Sequence, residues 1–161
     1  AITEQHCQSL ADVQLTGRFQ TLRYEGKALI LDVAHNPASA QLLASRLAQT
    51  HAGGRTLAVA AMMADKDVVG ILQPLLPQVD AWMLADLPNN PRALPAKALG
   101  NTLAEQGVAM ISVSKNVRQA FRRALSIMGD NDRLLVFGSF FTVAEALKLI
   151  AAKTDRVEAL S

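Results

Sequence analysis

Short apolar runs alternate with amphipathic segments along most of this chain. The runs are rich in leucine, valine and alanine, as is typical of strands that are buried on both faces of a parallel sheet. The segments between the runs carry apolar residues at helical spacing, for example Ala40, Leu43, Ala44 and Leu47 after Pro37. This alternation predicts right-handed crossover connections and a mostly parallel sheet with helices on both faces.

The apolar runs predict six strands, at residues 18–24, 28–33, 56–62, 79–85, 108–113 and 133–137. Helices are predicted over residues 37–50, 67–76, 95–105 and 114–128, the last of these capped by Ser114, and a final helix follows Ser139. Glu25-Gly26 turns the first strand back into the second, which predicts an antiparallel hairpin at one edge. The predicted fold class is therefore α/β, a Rossmann-like three-layer sandwich around an about six-stranded, mostly parallel sheet with one antiparallel edge strand.

Composition and charge narrow the class of protein further. The chain has 161 residues, half of them hydrophobic, which is enough for a single domain with one sizeable core. A net charge of +2 without a basic cluster gives no reason to expect a nucleic-acid partner, and no apolar run is long enough for a membrane span. The first residues lack a signal-peptide pattern, and the single cysteine, Cys7, fits a reducing compartment. We therefore expect a cytoplasmic protein, and the absence of an initial methionine suggests a piece of a longer chain.

The segment LILDVAHNP, residues 29–37, is the strongest candidate for a ligand site. Its apolar half predicts a buried strand, and Asn36-Pro37 is typical of a helix start. Ligands of open α/β sheets bind beyond the carboxyl ends of the strands, where this segment places Asp32 and His35. Other polar residues fall at predicted strand ends or on the hairpin, and the full set is Arg18, Asp32, His35, Asn36, Lys66, Asp67 and Ser139.

Each of these residues also has a purely structural interpretation. Asn36 and Ser139 are good helix caps, Lys66-Asp67 fits a solvated helix start, Arg18 fits an exposed edge strand, and His35 fits a structural histidine. The set as a whole indicates an anionic ligand, because helix N-termini favour negative charge.

The sequence lacks the motifs of several common ligand-binding and catalytic sites. No GxGxxG follows a strand, and the only Gly-Lys pair, Gly26-Lys27, lacks the other residues of a P-loop. The three histidines, at positions 6, 35 and 51, lie far apart in a chain without a cysteine cluster, so no metal site is predicted, and Asp130-Asn131-Asp132 is interpreted as a turn. Ser139 lies in FGSFF rather than GxSxG, which argues against a serine hydrolase built on Asp32, His35 and Ser139.

Four motifs in order resemble one known family. Gly17-Arg18-Phe19, DVAHNP at 32–37, AMMADKD at 61–67 and FGSFFTVAEAL at 137–147 are similar to the C-terminal domain of folylpolyglutamate synthases, in particular the bifunctional dihydrofolate synthase/folylpolyglutamate synthases of the Mur ligase superfamily. The resemblance implies an ATP-dependent carboxylate–amine ligase, in which a dihydropteroate or folate carboxylate becomes an acyl phosphate that the amine of L-glutamate attacks. It also implies an N-terminal domain that carries the P-loop and the Mg²⁺ ligands. Residues 1–16 would then be a linker or short helix from that domain, 17–153 the α/β core and 154–161 a tail.

The same resemblance implies roles for individual residues. Arg18 would bind the ATP phosphates and Asp32 the ribose hydroxyls. His35 would lie near the acyl phosphate and the incoming amine, and Ser139 would hold a glutamate carboxylate. Lys66-Asp67 matches the family pattern without an assigned role. The competing interpretation is a non-catalytic Rossmann-like module that binds a small anion or a protein partner.

Overall fold

The computed structural model describes residues 18–50, 53–152 and 157–159. The predictions for a short helix near the N-terminus, and those that involve His6, Cys7, Gly17 and His51, lie outside these residues. The strands are β1 (Gln20–Tyr24), β2 (Lys27–Asp32), β3 (Thr56–Ala60), β4 (Ala81–Ala85), β5 (Ile111–Ser114), β6 (Arg133–Phe137) and β7 (Val157–Ala159). The helices are α1 (Pro37–Gln49), α2 (Val68–Leu72, extended by a 3₁₀ turn over Gln73–Leu75), α3 (Ala96–Glu105), α4 (Val117–Ile127) and α5 (Phe140–Ala151).

The strands form one sheet in the order β5-β4-β3-β6-β2-β1-β7. β2, β6, β3, β4 and β5 run parallel to one another, whereas β1 runs antiparallel to both β2 and β7. The predicted α/β class and the mostly parallel sheet are thus confirmed. Within the tail expected over residues 154–161, Val157–Ala159 adds a seventh strand, so β1 is not an edge strand. Three residues are too few to show a periodic pattern, and this strand forms because β1 offers unpaired backbone groups.

Helices cover both faces of the sheet, as predicted. Residues of α1, α2 and α3 pack on one face, where Leu135 and Trp82 are fully or almost fully buried. Residues of α4 and α5 pack on the other face around Leu134 and Val136. The alternate residues of β6 therefore belong to two different core clusters, as expected of a central strand that is buried on both sides.

The start of α4 differs from the prediction. Ser114 is the last residue of β5 and pairs with Ala85, so it does not cap the helix. The cap is Asn116, whose side chain accepts a hydrogen bond from the backbone N–H of Gln119 at 2.8 Å. Asparagine and serine cap helices about equally well, so the pairing of β5 with β4 decided which of them does so here.

The order of the strands brings three carboxyl ends together. β6 lies between β2 and β3 although it follows β5 in the chain, and Phe137 pairs with both Asp32 and Ala60. α1 leaves the end of β2 on one face of the sheet, and α5 leaves the end of β6 on the other. This divergence of neighbouring connections is the topological switch point at which open α/β sheets bind ligands.

Candidate functional site

The loop from β2 to α1 is fixed by a complete capping box. The side chain of Asn36 accepts a hydrogen bond from the N–H of Ser39 at 2.8 Å, and Ser39 Oγ accepts from the N–H of Asn36 at 3.2 Å. Ser39 Oγ also accepts from the N–H of His35 at 3.1 Å, and Pro37 occupies the first helical position. The structural interpretation of Asn36 as a cap is confirmed, and the same bonds hold the backbone of His35 in place.

His35 is exposed at this loop with one ring nitrogen already engaged. Nδ1 lies 3.0 Å from the carbonyl oxygen of Val33, which can only accept a hydrogen bond. In the neutral ring Nδ1 therefore carries the proton, and Nε2 keeps its lone pair. An exposed imidazole that is oriented in this way can accept a proton or a hydrogen bond from a ligand.

Asp32 is almost fully buried at the end of β2. Its Oδ1 accepts a hydrogen bond from the N–H of Ala34 at 2.7 Å, and its Oδ2 accepts from the N–H of Phe19 at 2.9 Å. Burial raises the pKa of this carboxyl above its ordinary value, although the two backbone hydrogen bonds and the charges of Arg46 and Arg18 oppose the rise. Each oxygen accepts one hydrogen bond from the backbone, and the carboxylate has further lone pairs that can accept hydrogen bonds from a ligand.

Arg18 precedes β1 and is followed by Phe19, whose N–H bonds to Asp32, and the charge of Arg18 acts to lower the pKa of that carboxyl. Phe19, between Arg18 and the strand, has a backbone φ of 43°, in the left-handed region. The bond to Asp32 and the guanidinium of Arg46, 5.8 Å from the centre of the Phe19 ring, hold it there. The structure thus brings Arg18, Asp32 and the loop of His35 to one end of β2.

Ser139 lies at the end of the neighbouring strand β6. Its Oγ accepts a hydrogen bond from the N–H of Thr142 at 3.1 Å, which confirms Ser139 as the N-cap of α5. Gly138 has a φ of 117°, and a Cβ added there would lie 2.4 Å from the carbonyl oxygen of Ala61. Only glycine fits this close approach of the turn to the end of β3.

Lys66 and Asp67 follow β3, the third strand of the group. Asp67 caps α2 by accepting a hydrogen bond from the N–H of Gly70 at 3.0 Å, which supports its structural interpretation. A Cβ added to Gly70 would lie 2.8 Å from the ring of Pro37, so the starts of α1 and α2 are in close contact. Half-buried Lys66 therefore lies on a loop next to the DVAHNP segment.

The part of the chain that the structure describes contains no group of three or more histidine, cysteine and acidic residues that could hold a metal ion. A serine-hydrolase arrangement is absent from the same residues, because the Ser139 hydroxyl bonds to Thr142 and His35 Nδ1 to Val33. No helix within the described ranges is long and apolar enough to cross a membrane.

Sequence reasoning missed a second concave region at this end of the sheet. A cavity of about 570 Å³ opens between the loop after β4, the start of α4 and one side of α5, and Asn89, Asn116, Arg118 and Phe141 are among its lining residues. None of the four candidates Arg18, Asp32, His35 and Ser139 lines it. The signal was the polar sequence after β5, which the assignment of Ser114 as a helix cap had obscured.

The chain is similar to several known proteins. The family model for the "Mur ligase, glutamate ligase domain" matches residues 17–140. The dihydrofolate synthase/folylpolyglutamate synthase of Buchnera aphidicola (subsp. Baizongia pistaciae) is 34% identical over 154 residues, covering 94% of this chain and 34% of that protein.

Two solved structures have the same fold with related sequences. Escherichia coli FolC in complex with DHPP and ADP has a TM-score of 0.78 and 37% identity, over 86% of this chain and 32% of that one. A bifunctional folylpolyglutamate synthase/dihydrofolate synthase with Mn, AMPPNP and L-glutamate bound has a TM-score of 0.72 and 38% identity, over 84% of this chain and 31% of that one. This chain spans about a third of the length of these relatives. It belongs to the family of Mur ligase glutamate ligase domains.

Proposed function

We propose that this chain is the C-terminal domain of an ATP-dependent ligase that adds L-glutamate to dihydropteroate, to folates or to both. In this reaction the acceptor carboxylate becomes an acyl phosphate, and the amine of glutamate displaces the phosphate to form an amide. The observation that carries the proposal is the meeting of Arg18, buried Asp32 and the His35 loop at one strand end in a member of this family. The ligands of the solved relatives, ADP, AMPPNP and L-glutamate, support the substrates.

The domain organisation is part of the proposal. Residues 1–16 would connect an N-terminal P-loop domain to the α/β core, and that domain would be the main partner of this chain. The described residues offer no ligand cluster that fits Mg²⁺, so the proposal places the Mg²⁺ ligands mainly in the N-terminal domain. ATP is the co-substrate, and we place the protein in the cytoplasm, in keeping with its single cysteine.

Arg18 and Asp32 would act on the nucleotide. The exposed guanidinium of Arg18 would neutralise phosphate charge as the phosphoryl group is transferred. The remaining lone pairs of Asp32 would accept hydrogen bonds from ribose hydroxyls. Since Asp32 also holds the N–H of Phe19, binding at Asp32 and the position of Arg18 would depend on each other.

His35 would act on the incoming amine. Its Nδ1 proton is engaged with Val33, which leaves Nε2 to accept a proton from the amino group of glutamate or to orient that group. Ser139 would contribute to binding a glutamate carboxylate at the start of α5. Lys66, on the adjoining loop, carries the right charge for an anionic substrate but has no separate role in the proposal.

The test is amide synthesis by the full-length protein from ATP, L-glutamate and dihydropteroate or a reduced folate. We expect the 161-residue chain to fold and to form no amide by itself. In the full-length protein, Arg18→Ala should raise the ATP KM or lower kcat by about tenfold or more, and His35→Ala should lower kcat about a hundredfold without loss of folding.

Arg23→Ala is the matched control for Arg18, because Arg23 lies on β1, which follows Arg18, and donates a hydrogen bond to the carbonyl of Gly26 at the hairpin. Its kinetic constants should equal those of the unchanged enzyme. A full-length protein that binds ATP or another anion without forming an amide would instead favour the non-catalytic module.

A further inference from the structure

Two neighbouring cavities share the loop after β4, and each is lined by one cation from the segment that begins α4. Arg118 lines the cavity of about 570 Å³, and Lys115 lines a smaller cavity of about 240 Å³. The loop residues that line both cavities are Asp86, Leu87, Pro88 and Asn90. The two cations therefore border one continuous stretch of the surface beside this loop.

Arg118 and Lys115 belong to a segment of uniformly positive charge. Residues 115–129 contain four lysines and arginines and no acidic residue, although the chain as a whole has nearly equal numbers, 16 basic and 14 acidic. Both side chains are exposed, and within the described part of the chain neither of them forms an ion pair. Their charges are therefore available to a ligand.

The acidic side chains around the cavities do not cancel this charge. Glu145 on α5 is paired with Lys148 at 2.6 Å, so these two contribute no net charge to the larger cavity. Asp86 lines both cavities, and one of its carboxylate oxygens accepts a hydrogen bond from the N–H of Ala96 at 2.7 Å. Arg118 and Lys115 thus face a single further carboxylate, and the pair of cavities favours a negatively charged ligand.

The larger cavity also has apolar walls and an amide donor. Leu87 and the 44% exposed ring of Phe141 are among its apolar lining residues. Asn90 Oδ1 accepts a hydrogen bond from the N–H of Arg92 at 3.0 Å, which leaves the Asn90 amide nitrogen as a donor. A ligand that matches these walls combines carboxylates, hydrogen-bond acceptors and short apolar segments.

We propose that these two cavities bind the glutamate residues that precede the reacting one when the acceptor is a folate with several glutamates. Each such residue has one free carboxylate, an amide group and two methylene groups, so it matches the cations, the amide donor and the apolar walls. Phe141 lies two residues beyond Ser139 in the first turn of α5, so the larger cavity adjoins the proposed site of amide formation. This inference rests on the proposed function, which makes folates acceptors.

The experiment compares two acceptors of the full-length enzyme, tetrahydrofolate with one glutamate and the same compound with three. Arg118→Gln removes the charge and keeps a polar side chain. We expect it to raise the KM of the triglutamate acceptor about fivefold, the effect of losing one ion pair with an exposed cation. The KM values of the monoglutamate acceptor, ATP and L-glutamate should change less than about twofold. Lys115→Gln should act in the same direction, and the double variant should show the larger effect.

Salt gives an independent measurement of the same contacts. Dissolved ions screen exposed charges, so the KM of the triglutamate acceptor should rise with the KCl concentration in the unchanged enzyme. The double variant lacks both cations, and its KM for this acceptor should depend less on salt.

Arg123→Gln is the matched control, because Arg123 is an exposed arginine of α4 that lines neither cavity and is hydrogen-bonded to Ser112. It changes the net charge by the same amount and should leave every KM unchanged. Arg118→Lys keeps the charge and should keep the KM of the triglutamate acceptor within about twofold. The melting temperatures of all these variants should stay close to that of the unchanged enzyme, since the substituted side chains are exposed.

Four outcomes would overturn the inference and leave the ligase assignment intact. The double variant could keep the KM of the triglutamate acceptor, Arg118→Gln could raise the KM values of both acceptors equally, or Arg123→Gln could have as large an effect. The fourth is an unchanged enzyme that forms an amide with dihydropteroate and not with the triglutamate acceptor. A full-length protein that forms no amide with any acceptor would overturn the proposed function, and this inference with it.

Discussion

The carboxylate of Asp32 accepts a hydrogen bond from the backbone N–H of Phe19 at 2.9 Å, and this bond joins the end of β2 to the start of β1. It holds Phe19 in a left-handed conformation, with a φ of 43°, and so sets the course of the chain at Arg18. The other oxygen of the carboxylate stabilises the loop that leads to His35. One buried side chain thus organises both segments that we propose to contact the substrates.

Replacing Asp32 tests both its structural role and its proposed role in binding ATP. In Asp32→Asn the amide offers one acceptor oxygen to two backbone N–H groups, so one of them loses its partner. We expect the free energy of unfolding to fall by about 1–3 kcal/mol at neutral pH, measured by chemical denaturation. In the full-length enzyme the ATP KM should rise by about tenfold or more if the carboxylate also binds ribose. An unchanged ATP KM would restrict Asp32 to its structural task.

The free energy of unfolding, measured as a function of pH below 7, gives a second test of Asp32. Burial raises the pKa of this carboxyl in the folded protein, so protonation favours folding. Its contribution to stability is fully present below the ordinary pKa of 3.8 and is lost as the pH rises through the raised value. The stability difference between the unchanged protein and Asp32→Asn should therefore grow as the pH falls from 7 toward 4. A difference that shrinks over this range would contradict the direction of the shift.

Asp132 should show the opposite pH dependence. Burial would raise its pKa, but hydrogen bonds from the N–H of Gly129 and from Arg55, together with the charge of Arg55, lower it below 3.8. The stability that Asp132 supplies is therefore present above pH 3.8 and is lost as the pH falls through the lowered value. We expect Asp132→Ala to cost about 2–3 kcal/mol at pH 7, measured by denaturation, and progressively less toward pH 2. A cost independent of pH would contradict this assignment.

Variants of two helix caps distinguish an effect on stability from an effect on activity. Asn36 and Asn116 each accept a hydrogen bond from a backbone N–H at 2.8 Å, at the starts of α1 and α4. Replacing either asparagine with alanine should lower the free energy of unfolding by about 1 kcal/mol. Only Asn36→Ala should also lower the ligase kcat of the full-length enzyme, because its cap holds the loop of His35. Equal losses of activity in both variants would show that the loop has no special role.

Glycine 138 should tolerate no side chain. Gly138→Ala forces a Cβ to within 2.4 Å of the Ala61 carbonyl at a φ of 117°, so backbone atoms of two strand ends must separate. We expect a loss of about 2–4 kcal/mol in the free energy of unfolding. Gly107→Ala is the control, since its φ is 90° and no atom lies within 4 Å of the added Cβ. It should lose only about 1–2 kcal/mol, and similar losses at both positions would refute the steric argument.

Local sequence patterns are sufficient to predict the fold class and the position of the candidate site along the chain. Apolar periodicity predicts six of the seven strands and the helices between them, because those segments bury their side chains in two regular cores. The DVAHNP segment predicts the strand end, the cap at Asn36 and the helix start, since each of these depends on neighbouring residues only.

The pairing of distant segments determines which strand ends meet and which hydrogen-bond donors and acceptors remain there. The position of β6 between β2 and β3, the seventh strand at Val157–Ala159 and the cap at Asn116 depend on pairing between distant segments, which local patterns do not encode. The same holds for Asp32, whose carboxylate accepts a hydrogen bond from Phe19, and for Ser139, whose hydroxyl is hydrogen-bonded to Thr142. A hydroxyl or carboxylate in a sequence shows what it could bind, but its partners in space determine which donors and acceptors it has left.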